Sequence, residues 1–237
     1  MAKVKMATDS KDWISERSFA IDDGTGRNLN VCVWDQPGDD VLGMIARCPK
    51  VVQTMSELLN GEVYHYHSKL IMKDPHTGAA HVWHQDYGYW YQGGCLFPDM
   101  GSVSIALDKA YPENGCLQLL RGSHRAGRVD HIKIGDQFGA DPKRVKYYQE
   151  KMEHINVEME PGDAVFFHSN VLHTAPQNNS DSKRWVFIVG YNRADNSPAF
   201  NSPHPTYNPI NMVDNSAIKE CQKLVDFEGK KFYLPSY

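Results

Sequence analysis

From Gly61 to Arg193 the chain is a succession of short β-branched and aromatic runs, each cut off by glycine or proline. That rhythm limits the folds open to it more than any other feature. "EVYHYHSKLIM", "HVWHQD", "SVSIALDKA", "CLQLL", "INVEM", "AVFFH" and "RWVFIVGYNR" have the composition of strands. The breaks between them, such as "KDPHTGAA", "YPENG" and "EPGD", are rich in turn formers, and "YGYWYQGGCLFPDMG" reads as a longer loop. Many short strands with few helices among them imply one β-sandwich or barrel.

The helices gather at the front. In "DDVLGMIARCPKVVQTMSELLNG" the residues Val51, Val52, Met55, Leu58 and Leu59 fall at helical spacing. Pro49 should divide the segment into two helical pieces, and Asn60-Gly61 supplies the stop. Ahead of it lie loops with one short strand at "LNVCVW". Between 125 and 154 the strand pattern lapses into an insertion, where "DPKRVKYYQEKM" predicts a helix capped by Asp141 with Pro142 at its first position. "INVEM", "EPGD" and "AVFFH" read as strand, turn, strand. After Asn192, proline and asparagine dominate, as expected of a tail that wraps the surface. The expectation is a single domain over 1–237, mainly β with flanking helices: loops and helix over 1–60, the β core over 61–193, the tail over 194–237.

Composition excludes several classes of partner. Net charge is −4 with no basic run, so no nucleic-acid footprint is expected. No segment approaches the roughly 18 apolar residues of a membrane span. The start lacks the apolar region of a signal peptide, and "YLPSY" is not a peroxisomal address. Five cysteines, odd in number, dispersed and without a CxxC pair, suggest a reducing compartment, hence a cytoplasmic protein.

The chemistry-bearing residues lie in two places. In "HVWHQD", His84 and Asp86 are two apart, and in a strand such residues project from one face while Gln85 turns away. Alone this is a weak signal, because a hydrogen-bonded surface pair has the same spacing. About ninety residues later, "EPGDAVFFHSNVLHTAPQNNSDSKRW" offers His173 after an apolar strand and Arg184 eleven residues beyond it. Two imidazoles and a carboxylate make the facial triad of non-haem Fe(II) oxygenases. An arginine inside a barrel is costly unless a carboxylate meets it, and its planar fork suits that partner.

"HQD", "ENGCLQLLRGSH" and "PGDAVFFHSNVLH" with Arg184, in this order and spacing, resemble the phytanoyl-CoA dioxygenase family over roughly 51–193. The resemblance implies a double-stranded β-helix (jelly-roll, cupin-like) core. It implies Fe(II) held by His84, Asp86 and His173, and 2-oxoglutarate as co-substrate with its distal carboxylate on Arg184. O2 would be the oxidant and C–H hydroxylation the activity, with release of succinate and carbon dioxide and no catalytic group beyond the metal ligands. A carboxylate at Asp86 argues for hydroxylation or desaturation over halogenation, since related halogenases carry a small residue there. Lys73 and Ser104 match co-substrate positions, and Trp90, six residues after His84, matches a substrate-pocket tryptophan of the ectoine-hydroxylase branch. Ala175 stands where many relatives have serine, which leaves that hydrogen bond to Thr174. Set against the resemblance, the strand and helices that usually precede the family's first helix are expected to be lacking here.

The remaining histidines have plainer readings. His81 is a candidate for the pocket wall, and His168 a candidate to orient a ligand. His65 and His67 form an HxH pair with no third ligand in view, so packing or a pocket wall is the expectation. A non-catalytic metal- or ligand-binding jelly roll is the alternative function. A hydrolytic zinc enzyme is a weaker one, for want of a general base near either motif. The tyrosine-rich 87–101 loop favours a small polar metabolite over a bulky lipid thioester.

Overall fold

The run richest in strand formers becomes the spine of the molecule. In this computed structural model, which describes residues 1–9 and 16–233, β3 (Val63–Lys73) lies between β2 (Asn28–Trp34) and β12 (Arg184–Arg193). With β1 (Phe19–Asp22), β5 (Met100–Ala106) and β10 (Ala164–His168) they form a six-stranded sheet in the order β1-β2-β3-β12-β5-β10. A four-stranded sheet, β4 (His81–His84), β11 (His173–Ala175), β6 (Leu117–Leu120) and β9 (His154–Val157), faces it. Every strand pairing is antiparallel. This is the jelly roll that the family resemblance implied, and it agrees with the sandwich or barrel expected from the strand rhythm.

Alternation along the strands decides which side chains reach the interior. On β3, Leu70 and Met72 point outward, and on β12 so do Trp185, Phe187 and Val189. They pack beneath α2 (Val41–Arg47) and α3 (Pro49–Leu58), whose Val41, Leu42, Ile45, Val51, Val52 and Met55 are buried there. Each such side chain taken fully from water contributes about 1.5–3 kcal/mol. The complementary set, Lys69, Ile71 and Lys73 on β3 with Arg184, Val186 and Ile188 on β12, lines a cavity between the sheets. The break at Pro49 and the end at Asn60, whose φ is 52°, lie where the sequence places them.

Three elements differ from expectation. Ahead of the helical segment the expected strand at "LNVCVW" is β2, but β1 and a helix α1 (Ala2–Asp9) accompany it, and both strands extend the large sheet. "INVEM" and "AVFFH" are both strands but belong to opposite sheets, because the Pro-Gly turn carries the chain across the roll. The insertion holds a hairpin, β7 (His131–Ile134) and β8 (Gln137–Ala140), before the expected helix α5 (Pro142–Lys151), where Asp141 accepts a hydrogen bond from the Lys143 N–H. All five cysteines are free. Among the described residues no helix is long and apolar enough to cross a membrane.

The tail is fastened at several points. Phe232 bridges to Trp34 on β2, and the main chain of Tyr233 donates to Val33. Lys230 reaches Asp40 at 2.6 Å, with both side chains 3% exposed. Upstream, His204 stacks on Tyr66 and Tyr64 donates to the Pro205 carbonyl. Burial pushes His204 down to about 4 and, in the sheet, His65 down to about 3. Unfolded, both would titrate near 6.5, so the unfolded chain binds more protons between those values and about 6.5. Stability from these groups is complete above pH 6.5 and is lost as pH falls towards 4 and then 3. Calorimetry at pH 7.5 and pH 5 should show the melting temperature falling on acidification.

Candidate active site

His84 ends β4 opposite His173 of β11, and the two rings lie 4.0 Å apart. Gln85 stays extended (φ −116°, ψ 137°), so strand alternation carries on to Asp86, which opens a short helix α4 (Asp86–Trp90). Asp86 is therefore not on the strand, and the start of the expected loop is helical. Gln85 turns away and is fully buried: its amide donates to the Gly127 and Asn170 carbonyls and accepts from the Val129 N–H. These bonds fix the joint between strand and helix.

One ligand atom from each of His84, Asp86 and His173 lies within 4.8 Å of the others, and all three residues are buried. In both imidazoles Nδ1 faces the carbonyl two residues back, Val82 at 2.7 Å and Val171 at 2.9 Å. A ring that donates from Nδ1 presents a lone pair at Nε2. Burial holds both histidines below their usual range; for His84 the nearby His81 and His173 add to this, while for His173 the Asp86 charge opposes it. Burial raises Asp86, but the charges of Lys69 and His173 and a 2.6 Å hydrogen bond from Ser102 outweigh it, so its carboxyl stays below 3.8. Two neutral imidazoles and one ionised carboxylate fit a divalent first-row metal such as Fe(II). Ser102 was visible in the sequence only as a neighbour of Ser104. Its hydroxyl orients the carboxylate, so Ser102→Ala should weaken iron binding by about tenfold or more, measured by competition with a chelator.

The cavity runs from this group to Arg184, with Lys73, His81, Ser104 and Thr174 also on its wall. Arg184 and Lys73 stand directly opposite each other on β12 and β3. Arg184 donates through Nε and Nη2 to the Gly115 carbonyl, and Lys73 donates to the Ala175 and Pro176 carbonyls. Burial pushes Arg184 down to about 10 and, with the Arg184 charge, pushes Lys73 well below its usual value. Gly115, read in sequence as part of a turn, thus also holds the guanidinium. Its φ is +76°, and an added Cβ would meet the Pro176 carbonyl at 2.2 Å, so only glycine suits it.

The other expected positions divide. His81 lines the cavity with its ring 4.0 Å from that of His84. Thr174 also lines it, its hydroxyl donating to the His81 carbonyl. Trp90 is buried in an aromatic cluster with Tyr64, Tyr66 and Tyr87, one layer behind the cavity, 5.9 Å from the Lys69 ammonium. His168 meets His124 and accepts from the Asn170 N–H. Lys69, absent from the sequence reading, lies 3.8 Å from Asp86; its spacing of four from Lys73 on one strand was the available signal.

Known proteins place this arrangement. The chain is 33% identical over 190 residues to the L-proline trans-4-hydroxylase of Streptomyces griseoviridis, covering 73% of this chain and 69% of that one. It is 29% identical over 197 residues to the ectoine dioxygenase of Bordetella parapertussis, covering 78% and 63%. In fold it matches EctD from S. alaskensis, solved with 2-oxoglutarate and 5-hydroxyectoine, with a TM-score of 0.72, 18% identity and coverage of 94% and 81%. Residues 2–186 match the family model described as phytanoyl-CoA dioxygenase (PhyH). The order of motifs, the jelly roll and the clustered His-Asp-His group agree with that match, and the chain belongs to the phytanoyl-CoA dioxygenase family.

Proposed function

We propose that the protein is an Fe(II)- and 2-oxoglutarate-dependent hydroxylase of a small molecule. His84, Asp86 and His173 hold the metal, and Arg184 receives the distal carboxylate of the co-substrate. The observation that carries this reading is the cavity's two ends: a lone-pair-rich donor group at one, and two buried cations bonded only to carbonyls at the other. A dicarboxylate chelating with one end and paired with Arg184 at the other satisfies both.

Bound iron supplies the oxidising chemistry, in which 2-oxoglutarate and O2 give succinate, carbon dioxide and a hydroxylated substrate. The chain's residues bind and orient. Arg184 offers a planar fork already aimed by Gly115, so little freedom is lost on binding. Lys73 adds positive charge and, through the Ala175 and Pro176 carbonyls, fixes the path of the chain leaving β11. Ser104 and Thr174 present hydroxyls on the cavity wall. The apolar wall from Ile71, Phe167, Val186 and Ile188 excludes water, which strengthens each of these charged contacts.

The relatives named for L-proline and ectoine act on small molecules, and we assign the substrate of this protein to the same size class. Anaerobic addition of 2-oxoglutarate to the Fe(II) protein should produce a visible charge-transfer band. Admitting O2 with substrate should release succinate, and Asp86→Ala should reduce that release to background. Undiminished release from Asp86→Ala would sink the assignment, and a band without turnover would mark a binding protein.

A further inference from the structure

Beside Asp86 lies a second group of polar side chains that none of the chemistry above uses. Lys69 faces the cavity with its ammonium 3.8 Å from Asp86 and 5.9 Å from the centre of the Trp90 ring. Two residues earlier on β3, His67 is 3% exposed, and among the described residues neither of its ring nitrogens has a hydrogen-bond partner. The ring rests over Gly190, where an added Cβ would stand 3.1 Å from Nε2, and lies 5.4 Å from Trp90. His204 comes from the tail, beyond the part of the chain that the family model matches. Its ring is 6.2 Å from that of His67, and its buried Nδ1 is also without a partner among the described residues.

Three orphaned ring nitrogens in so small a volume are costly, at about 1–3 kcal/mol for each buried bond left unmade. Lys69 supplies charge at the same place. Asp86, its nearest carboxylate, already accepts from Ser102 and belongs to the metal group, so it neutralises the ammonium poorly. One cation with two imidazole donors matches the two oxygens of a carboxylate. A neutral acceptor could take a hydrogen bond from Lys69, but a carboxylate also offsets its charge. Trp90 and Tyr66 pack behind this group and hold its rings in place. The tail is held here by contacts a ligand could replace, a ring stack on Tyr66 at 4.8 Å and the 3.3 Å bond from Tyr64 to Pro205.

We propose that Lys69, His67 and His204 receive a carboxylate of the substrate, so that the enzyme acts on a small carboxylic acid whose charged end is recognised jointly by β3 and the tail. This rests on the hydroxylase reading, and the experiment separates the two. Anaerobic Fe(II)·2-oxoglutarate protein is titrated with L-proline and L-prolinamide, then with the acid and amide of each other common amino acid. Binding is followed through perturbation of the visible band, and succinate release is measured after O2 is admitted. At least one acid should bind and stimulate release, with its amide weaker by about tenfold or more. For that acid, Lys69→Met should raise the dissociation constant by about tenfold, Lys69→Arg should recover part of the loss, and His204→Ala should narrow the preference for acid over amide. A wild-type protein with neither band nor turnover overturns the hydroxylase reading itself. A band with acids and amides binding alike, with no acid binding, or with the acid's affinity unchanged in Lys69→Met and His204→Ala, overturns the carboxylate assignment alone.

Discussion

Arg184→Met should raise the concentration of 2-oxoglutarate needed for half-maximal turnover by about two to three orders of magnitude. Breaking a buried ion pair at one partner costs about 3–5 kcal/mol, and 1.4 kcal/mol is a factor of ten. The co-substrate would keep its chelating end but leave a dicarboxylate's far end desolvated and unpaired. Arg184→Lys should recover little, since a point charge cannot reproduce the planar fork that the Gly115 carbonyl aims. Thermal shift gives an independent reading. At 100 times its dissociation constant, 2-oxoglutarate should stabilise the wild type by about 2.7 kcal/mol. The Met variant, at the same concentration, should gain almost nothing. A variant that turns over normally at low 2-oxoglutarate would remove Arg184 from the site.

The second large effect is on stability and lies far from the chemistry. Asp40 caps α2 by accepting from the Gly43 N–H at 2.8 Å, accepts from the Asp226 N–H at 2.8 Å, and pairs with Lys230 at 2.6 Å. Asp40→Ala removes a helix cap, worth about 1 kcal/mol, and leaves a buried ammonium without its partner. A total of about 3–5 kcal/mol is expected, which for a chain of this size lowers the melting temperature by about 10 °C. Combining it with Lys230→Met should return a large part of the loss, because the stranded charge is gone. Equal melting temperatures for the single and double variants would mean that the ion pair is not what holds the tail.

Much of the fold was legible because strand composition and turn chemistry are local. A β-sandwich or barrel follows from the run of short strands, and the two helical pieces from Pro49, while the jelly-roll form came with the family resemblance. The assignment of "INVEM" and "AVFFH" to opposite sheets was not legible, since a Pro-Gly turn looks the same in a hairpin and in a crossing. The site was legible in part for the same reason. His84 and Asp86 are close in sequence, and extended Gln85 brings them together whether a strand or a helix follows. His67, Lys69 and His204 were out of reach as a group. A β-bulge at Tyr66 sets the direction of His67: it leaves His65 beside Tyr191 of the outer core and His67 over Gly190 inside. His204 arrives from 137 residues away in a proline-rich stretch whose pattern announces no contact at all.

The bridge between Trp34 and Phe232 has a consequence for the order in which the molecule is made. An early strand has to wait for nearly the whole chain before its last neighbour arrives, and contacts so distant in sequence are slow to close. The two facing sheets, the clustered His84, Asp86 and His173, and Lys73 and Arg184 all lie before residue 194, so they can assemble while the rest is still being synthesised. His204 joins only when the tail docks. A newly made protein would thus pass through a stage in which the His-Asp-His group is assembled and the carboxylate site proposed above is not.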